Sequence, residues 1–181
     1  MWDGRPETKS TSQCPFCDTD FLSHTLMEAG EIIQKLLLLR AGDGTYGKTE
    51  WVTISGGEPC LQIDQPLIDE LHNAGFKVAV ETNGTVPLKA DVDYVTLSPK
   101  LGPGSTVLTR CDCLKILYPH PNPAVTPTAY DYIDAKERYL QPVAPDGEDR
   151  LGENLQATIR KLYNLAGWKL SLQTHKYMGV E

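Results

Sequence analysis

The chain has 181 residues, of which 40% are hydrophobic and 23% charged; this composition is typical of one globular domain and excludes a disordered protein. Its net charge of −7 opposes non-specific binding to nucleic acids or anionic membranes, and its longest apolar run, residues 32–39, is too short to span a bilayer. The first residues lack the apolar segment of a secretory signal, so we expect a cytoplasmic protein. In that compartment, five cysteines indicate metal or redox chemistry more than a disulfide framework.

Helices and strands are predicted to alternate after an irregular stretch over residues 1–20. Helical spacing of apolar residues predicts helices at 27–40, 64–74 and 154–166. Short apolar runs predict strands at 51–54, 76–81, 93–97, 113–117, 138–141 and 168–173. This alternation predicts an α/β fold with a parallel sheet, either an incomplete βα barrel or an open doubly wound sheet.

Five of the predicted strands are followed by polar residues that could bind a ligand. These stretches are 55–59, 81–85, 98–100, 141–142 and 173–176. The carboxyl ends of parallel strands meet at one edge, where ligand sites gather in α/β folds. Within the first stretch, Gly56 and Gly57 would let a ligand approach the backbone closely. We therefore expect a binding site at this edge.

Lys115 interrupts the fourth predicted strand. Period-two alternation puts it on one face with Cys113 and Leu117, opposite Leu114 and Ile116. If the two aliphatic residues face covering helices, Lys115 points into the barrel and needs an anionic partner, for example a ligand carboxylate. A solvated lysine on an edge strand is the alternative.

The pair Cys14 and Cys17 is the sharpest local signal, because two thiolates at this spacing can bind one metal or cluster. A thioredoxin-like redox pair would follow an apolar strand, whereas this pair follows polar residues. A zinc site that adds Cys111 and Cys113 remains possible, as does an iron–sulfur cluster for which the chain offers no obvious third ligand. Cys60 is interpreted as structural.

Five stretches together carry a resemblance to one family: CPFCDTDF at 14–21, SGGEP at 55–59, ETNGT at 81–85, LSPK at 97–100 and QTHKY at 173–177. The chain resembles the 7-carboxy-7-deazaguanine synthases, lyases of queuosine and deazapurine biosynthesis in the radical S-adenosylmethionine (SAM) superfamily. The resemblance implies a single radical SAM core domain over residues 1–181, with the fold of an incomplete βα barrel. It also implies ring contraction of 6-carboxy-5,6,7,8-tetrahydropterin to 7-carboxy-7-deazaguanine with release of ammonia.

The resemblance further implies the cofactors and partners of the reaction. A [4Fe-4S] cluster held by three cysteines would bind SAM, whose reductive cleavage would give a radical that abstracts hydrogen from the pterin and is later regenerated. Mg²⁺ would bind beside the carboxylated substrate, which suits a hard cation with oxygen ligands. A flavodoxin or ferredoxin would donate the electron, and the enzyme would be a homodimer.

Site residues follow from the same resemblance, position by position. Cluster ligands would be Cys14 and Cys17, and Thr19 would bind Mg²⁺. The SAM contacts would be Phe16, Cys17, Asp18, Gly57, Ser98, Pro99, Lys100 and the segment that starts at Gln141. The substrate contacts would be Ser55, Glu81, His175 and Glu181, the last through a free terminal carboxylate.

One departure concerns the third cluster ligand. A branch of the family separates its first cysteine widely from the second, and counting back from Cys14 puts that cysteine just upstream of Met1. We therefore expect an N-terminally incomplete domain without its first strand, and weak cluster binding or no activity for the chain as written. The alternatives are another radical SAM enzyme, such as a glycyl-radical activase, and a zinc-binding interaction module.

Overall fold

Six parallel strands form one sheet in the computed structural model, which describes residues 6–12, 15, 17, 19, 23–42, 49–143, 151–174 and 178. The strands are β1 (Trp51–Ile54), β2 (Lys77–Thr82), β3 (Tyr94–Leu97), β4 (Arg110–Tyr118), β5 (Asp134–Pro142) and β6 (Trp168–Leu170). Each strand pairs with the next along the chain, and all of these pairs are parallel. Because the order never reverses, the sheet is an incomplete barrel and not a doubly wound sheet.

Four α-helices accompany these strands in the described residues: α1 (Pro6–Lys9), α2 (Ala29–Ala41), α3 (Gln65–Asn73) and α4 (Leu151–Leu162). The short helix α1 corrects the expectation that residues 1–20 are irregular. Helix α3 is capped at its start, where the Asp64 carboxylate accepts a hydrogen bond from Leu67 N at 3.0 Å, and Gly75 with φ +79° follows its end. No helix in the described part is long and apolar enough to cross a membrane.

The core consists of two clusters against the helix-bearing face of the sheet. In the first, Val78 and Val80 of β2 pack with Ile68 and Leu71 of α3. The second contains Leu97, Leu114, Ile116 and Leu140, with Leu162 of α4 packed against them. Burial of these side chains determines which face of the sheet packs against the helices. Side chains alternate along each strand, so the residues between them point to the opposite face.

Loops cover the sheet where helices would be expected after β3 and β4. A 3₁₀-helix at Pro127–Tyr130 belongs to this cover. Val125, Tyr130 and Ile133 are buried in the second cluster, so they exclude water from β4 and β5 as a helix would. This is why, in the part of the chain that the structure describes, three longer helices accompany six strands.

Several element boundaries differ from the sequence prediction. Strands β4 and β5 begin earlier than expected, at Arg110 and Asp134, which lie opposite each other in the ladder. Charged residues start both strands, so a search for apolar runs misses them. Strand β6 ends at Leu170 and not at residue 173, and α4 covers residues 151–162 and not 154–166. Strand β1 has the predicted bounds.

Candidate functional site

Glu58, in the loop after β1, is the buried centre of the carboxyl edge. Its side chain is 5% exposed and accepts three hydrogen bonds. The hydroxyl of Thr82 donates to Oε1 at 2.6 Å, the backbone N–H of Cys60 donates to Oε1 at 3.1 Å, and the backbone N–H of Asn83 donates to Oε2 at 2.9 Å. Glu58 therefore fastens the loop after β1 to the loop after β2.

The segment 55–57 remains open to solvent above this anchor. Ser55, Gly56 and Gly57 are all exposed. Gly56 has φ +112°, a conformation that side chains disfavour, and a Cβ atom there would meet nothing within 4 Å. Glycine is thus required by the backbone conformation, and the described residues leave room beside it for a ligand.

Thr19 links the cysteine segment to this loop. Its hydroxyl donates a hydrogen bond to the carbonyl oxygen of Gly56 at 3.4 Å, and Thr19 and Cys17 are both partly buried. The hydroxyl proton is used in this bond, whereas the oxygen lone pairs of Thr19 remain available to a cation. The contact brings Cys17, two residues away, into the neighbourhood of the open loop.

Three further cysteines are described: Cys60 and Cys113 are buried, and Cys111 is partly buried. Burial raises the pKa of the Cys60 thiol to about 11 and that of Cys111 to about 12, and it also raises the pKa of Cys113. A raised pKa favours the protonated thiol, which is the usual state of a structural cysteine. Among the described residues, no three His, Cys, Asp or Glu side chains form a group that could hold a metal ion.

Glu81 and Lys115 form an ion pair across the open face of the sheet. The Lys115 ammonium lies 3.2 Å from Glu81 Oε1, and the two side chains are 22% and 46% exposed. Leu114 and Ile116 are fully buried on the helix side, so Lys115 faces the barrel interior as the first alternative predicted. The edge-strand alternative is wrong, because β4 lies between β3 and β5.

The loop after β3 is joined to the same edge. The backbone N–H of Ser98 donates to Thr82 O at 2.8 Å, and the Lys100 ammonium donates to the Ser98 hydroxyl at 2.6 Å. Pro99 between them is buried. Further along the edge, Gln141 at the end of β5 accepts a hydrogen bond from the Ser171 hydroxyl at 3.3 Å.

The structure thus describes some of the predicted site residues and not others. Cys14, Phe16, Asp18, His175 and Glu181 lie outside the described residues. The described site residues lie at the strand ends and loops of the carboxyl edge, or in the segment that Thr19 joins to this edge. They are Cys17, Thr19, Ser55, Gly57, Glu81, Ser98, Pro99, Lys100 and Gln141. Sequence reasoning quoted the SGGEP motif but gave Glu58 no role, although a carboxylate between Gly-Gly and Pro was the available signal.

Comparison with known proteins is consistent with this architecture. The 7-carboxy-7-deazaguanine synthase of Bordetella pertussis is 35% identical over 99% of this chain and 84% of its own length, and that of Nitratidesulfovibrio vulgaris is 36% identical over 99% and 85%. The crystal structure of QueE from Escherichia coli superposes with a TM-score of 0.59 at 22% identity, over 87% of this chain and 78% of the other. No family model matches the chain. The chain belongs to the family of the 7-carboxy-7-deazaguanine synthases, which are enzymes.

Proposed function

We propose that this chain is a radical SAM lyase that converts 6-carboxy-5,6,7,8-tetrahydropterin to 7-carboxy-7-deazaguanine with release of ammonia. The observation that carries the proposal is the contact between Thr19 and Gly56, which joins the Cys-x-x-Cys segment to an open, glycine-rich edge. A parallel sheet with polar groups at its carboxyl ends is the arrangement in which cofactor and substrate meet. The whole chain acts as a single radical SAM core domain in this proposal.

The donor set supports a cluster near Cys14 and Cys17. Cys17 carries a free thiol that is only partly buried, unlike the buried thiols of Cys60 and Cys113. A [4Fe-4S] cluster with bound SAM would supply the radical that starts the ring contraction. Its third cysteine stays a prediction, as does the electron donor, a flavodoxin or ferredoxin.

The described residues would bind and orient the two small molecules. Gly57 and Ser98–Lys100, with Gln141 further along the edge, offer backbone and side-chain groups to SAM. Ser55 and Glu81 offer a hydroxyl and a carboxylate to the ring of the pterin, whose N–H groups are donors. Both residues are exposed at strand ends, so a ligand could reach them without rearrangement of the core. Phe16 and Asp18 complete the proposed SAM contacts, and His175 and Glu181 those to the substrate.

Mg²⁺ binding by Thr19 belongs to the same proposal. A hydroxyl oxygen and a substrate carboxylate are hard ligands, which suit this cation. The hydrogen bond from Thr19 to Gly56 O would orient the hydroxyl so that its lone pairs point away from the loop. Homodimer formation and a cytoplasmic location also remain proposals.

The test is anaerobic incubation with the carboxypterin, SAM, Mg²⁺ and a reductant. It uses the iron- and sulfide-reconstituted protein expressed with any residues encoded in frame upstream of Met1, because the chain as written lacks the third cluster cysteine. Formation of 7-carboxy-7-deazaguanine and ammonia, measured by mass spectrometry and an ammonia assay, is the expected result. Cys17→Ala should remove the visible absorption of the cluster together with turnover, whereas Cys111→Ala should retain both. Cluster-loaded protein that makes no deazaguanine would refute the proposed reaction, and consumption of SAM only with a glycyl-radical partner would indicate an activase.

Metal analysis separates the cluster from the zinc module. Iron with broad visible absorption supports the radical SAM proposal. Stoichiometric zinc that is lost in Cys111→Ala and Cys113→Ala would instead support the module.

A further inference from the structure

We infer that Lys115 is a positioning residue for substrate binding, acting through its ion pair with Glu81; this inference rests on the proposed function. The ammonium of Lys115 lies 3.2 Å from Glu81 Oε1, although β3 separates the strands that carry the two residues. Lys115 would fix the carboxylate in the orientation that accepts hydrogen bonds from the pterin ring.

The location of Lys115 matches this role. Thr96 of β3 lies opposite Glu81 on one side and opposite Cys113 on the other. Continuing the second register by two residues puts Lys115 level with Ser98, at the carboxyl end of the sheet. Its side chain therefore reaches back over β3 to Glu81, along the floor of the proposed site.

Exposure distinguishes this pair from the other lysine ion pairs of the described residues. Lys77, Lys136 and Lys169 have side chains that are 55%, 80% and 56% exposed, whereas Lys115 is only 22% exposed. Desolvating an ammonium this far is unfavourable, and a pair whose carboxylate is still half exposed contributes little to stability. Stability therefore does not explain why a lysine occupies this position.

The Lys115 ammonium can compensate negative charge at the proposed substrate site. A carboxylated substrate approaching Glu81 brings a second negative charge to the site, and like charges at close range disfavour binding. The ammonium of Lys115 offsets that repulsion and restricts the rotamers of Glu81. A pre-oriented carboxylate loses less side-chain entropy when the ligand binds.

The experiment compares Lys115→Met with wild type in the reconstituted holoenzyme, and uses Lys77→Met as the matched control. Methionine keeps the apolar stem of lysine, and Lys77 is an exposed lysine at the opposite end of β2. Calorimetry gives the Kd for the carboxypterin, and initial rates give kcat and KM. Loss of one charged hydrogen-bonding partner should raise Kd and KM about tenfold or more in Lys115→Met. The control should leave them unchanged.

Three readouts separate positioning from a structural role. Thermal unfolding should be nearly unchanged, and kcat should fall by less than KM rises. In a Glu81→Gln background, Lys115→Met should have little further effect on Kd, because its partner's charge is already gone. Additive effects would mean that Lys115 acts without Glu81, and unchanged KM with lower unfolding temperature would mean a structural role; either overturns the inference. Wild-type protein that neither binds nor converts the carboxypterin would refute the proposed function itself.

Discussion

Glu58 allows the closest test of how the site is built. Its carboxylate is buried and accepts hydrogen bonds from Thr82, Asn83 and Cys60. In Glu58→Gln, one amide oxygen can keep the two donors now on Oε1, but the amide nitrogen then faces the N–H of Asn83. One hydrogen bond to a charged acceptor is lost, so we expect a decrease in the free energy of unfolding of about 2 kcal/mol.

Glu58→Ala removes the acceptor for all three donors. Water can enter the vacated space and accept hydrogen bonds from some of these donors. We therefore expect the free energy of unfolding to decrease by about 4 kcal/mol, which is less than the sum for three separate hydrogen bonds. The assay is urea unfolding of the full chain under anaerobic conditions, followed by circular dichroism. Glu70→Gln, an exposed change on α3, is the control and should alter stability by less than about 0.5 kcal/mol.

The order of the variants decides the outcome. If Glu58→Gln unfolds at the same urea concentration as Glu70→Gln, the three hydrogen bonds do not hold the loops together. If Glu58→Ala is no worse than Glu58→Gln, the carboxyl oxygens are not the acceptors that matter. Either result would refute the assignment of Glu58 as the anchor between the loops after β1 and β2.

Two further predictions concern the loops around the sheet. Gly84→Ala should destabilise the protein by about 2 kcal/mol in urea unfolding, because Gly84 has φ +78° and a Cβ atom would overlap Leu97 Cδ1. Gly104→Ala, where a Cβ would meet nothing within 4 Å, should behave like wild type, and equal effects would contradict the packing argument. Burial lowers the pKa of His120 from 6.5 to about 4. The contribution of neutral His120 to stability is complete above pH 6.5 and is lost as pH falls towards 4. The free energy of unfolding of His120→Gln should therefore decrease less steeply than that of wild type between pH 6.5 and 4. Identical slopes of the free energy of unfolding against pH would refute this.

The fold class could be predicted from the sequence, and so could the edge at which the described candidate residues lie. Helical spacing at 64–74 and the apolar run at 51–54 are local signals, set by which side chains face the core. Alternation of these elements implied a parallel sheet, and a parallel sheet brings the polar strand ends to one edge. Motifs around the cysteines and Gly56–Gly57 identified the family by the same local evidence.

The beginnings of β4 and β5 could not be predicted, because Arg110 and Asp134 are not apolar. They belong to strands because each lies opposite the other in the ladder, which is a property of pairing and not of either segment alone. The loop cover over the second core cluster was missed for the same reason. Tyr130 and Ile133 read as part of an irregular connection until the sheet beneath them is known.

The local sequence therefore determined which residues could serve the site, and the tertiary structure decided which of them meet. Glu58 contacts Thr82 at 24 residues' separation, Lys115 contacts Glu81 at 34, and Thr19 contacts Gly56 at 37. Periodicity and motifs report on neighbours within a turn or a strand, whereas these contacts depend on strand order and register. Only the folded sheet joins Glu58 to the second loop and turns Lys115 towards Glu81.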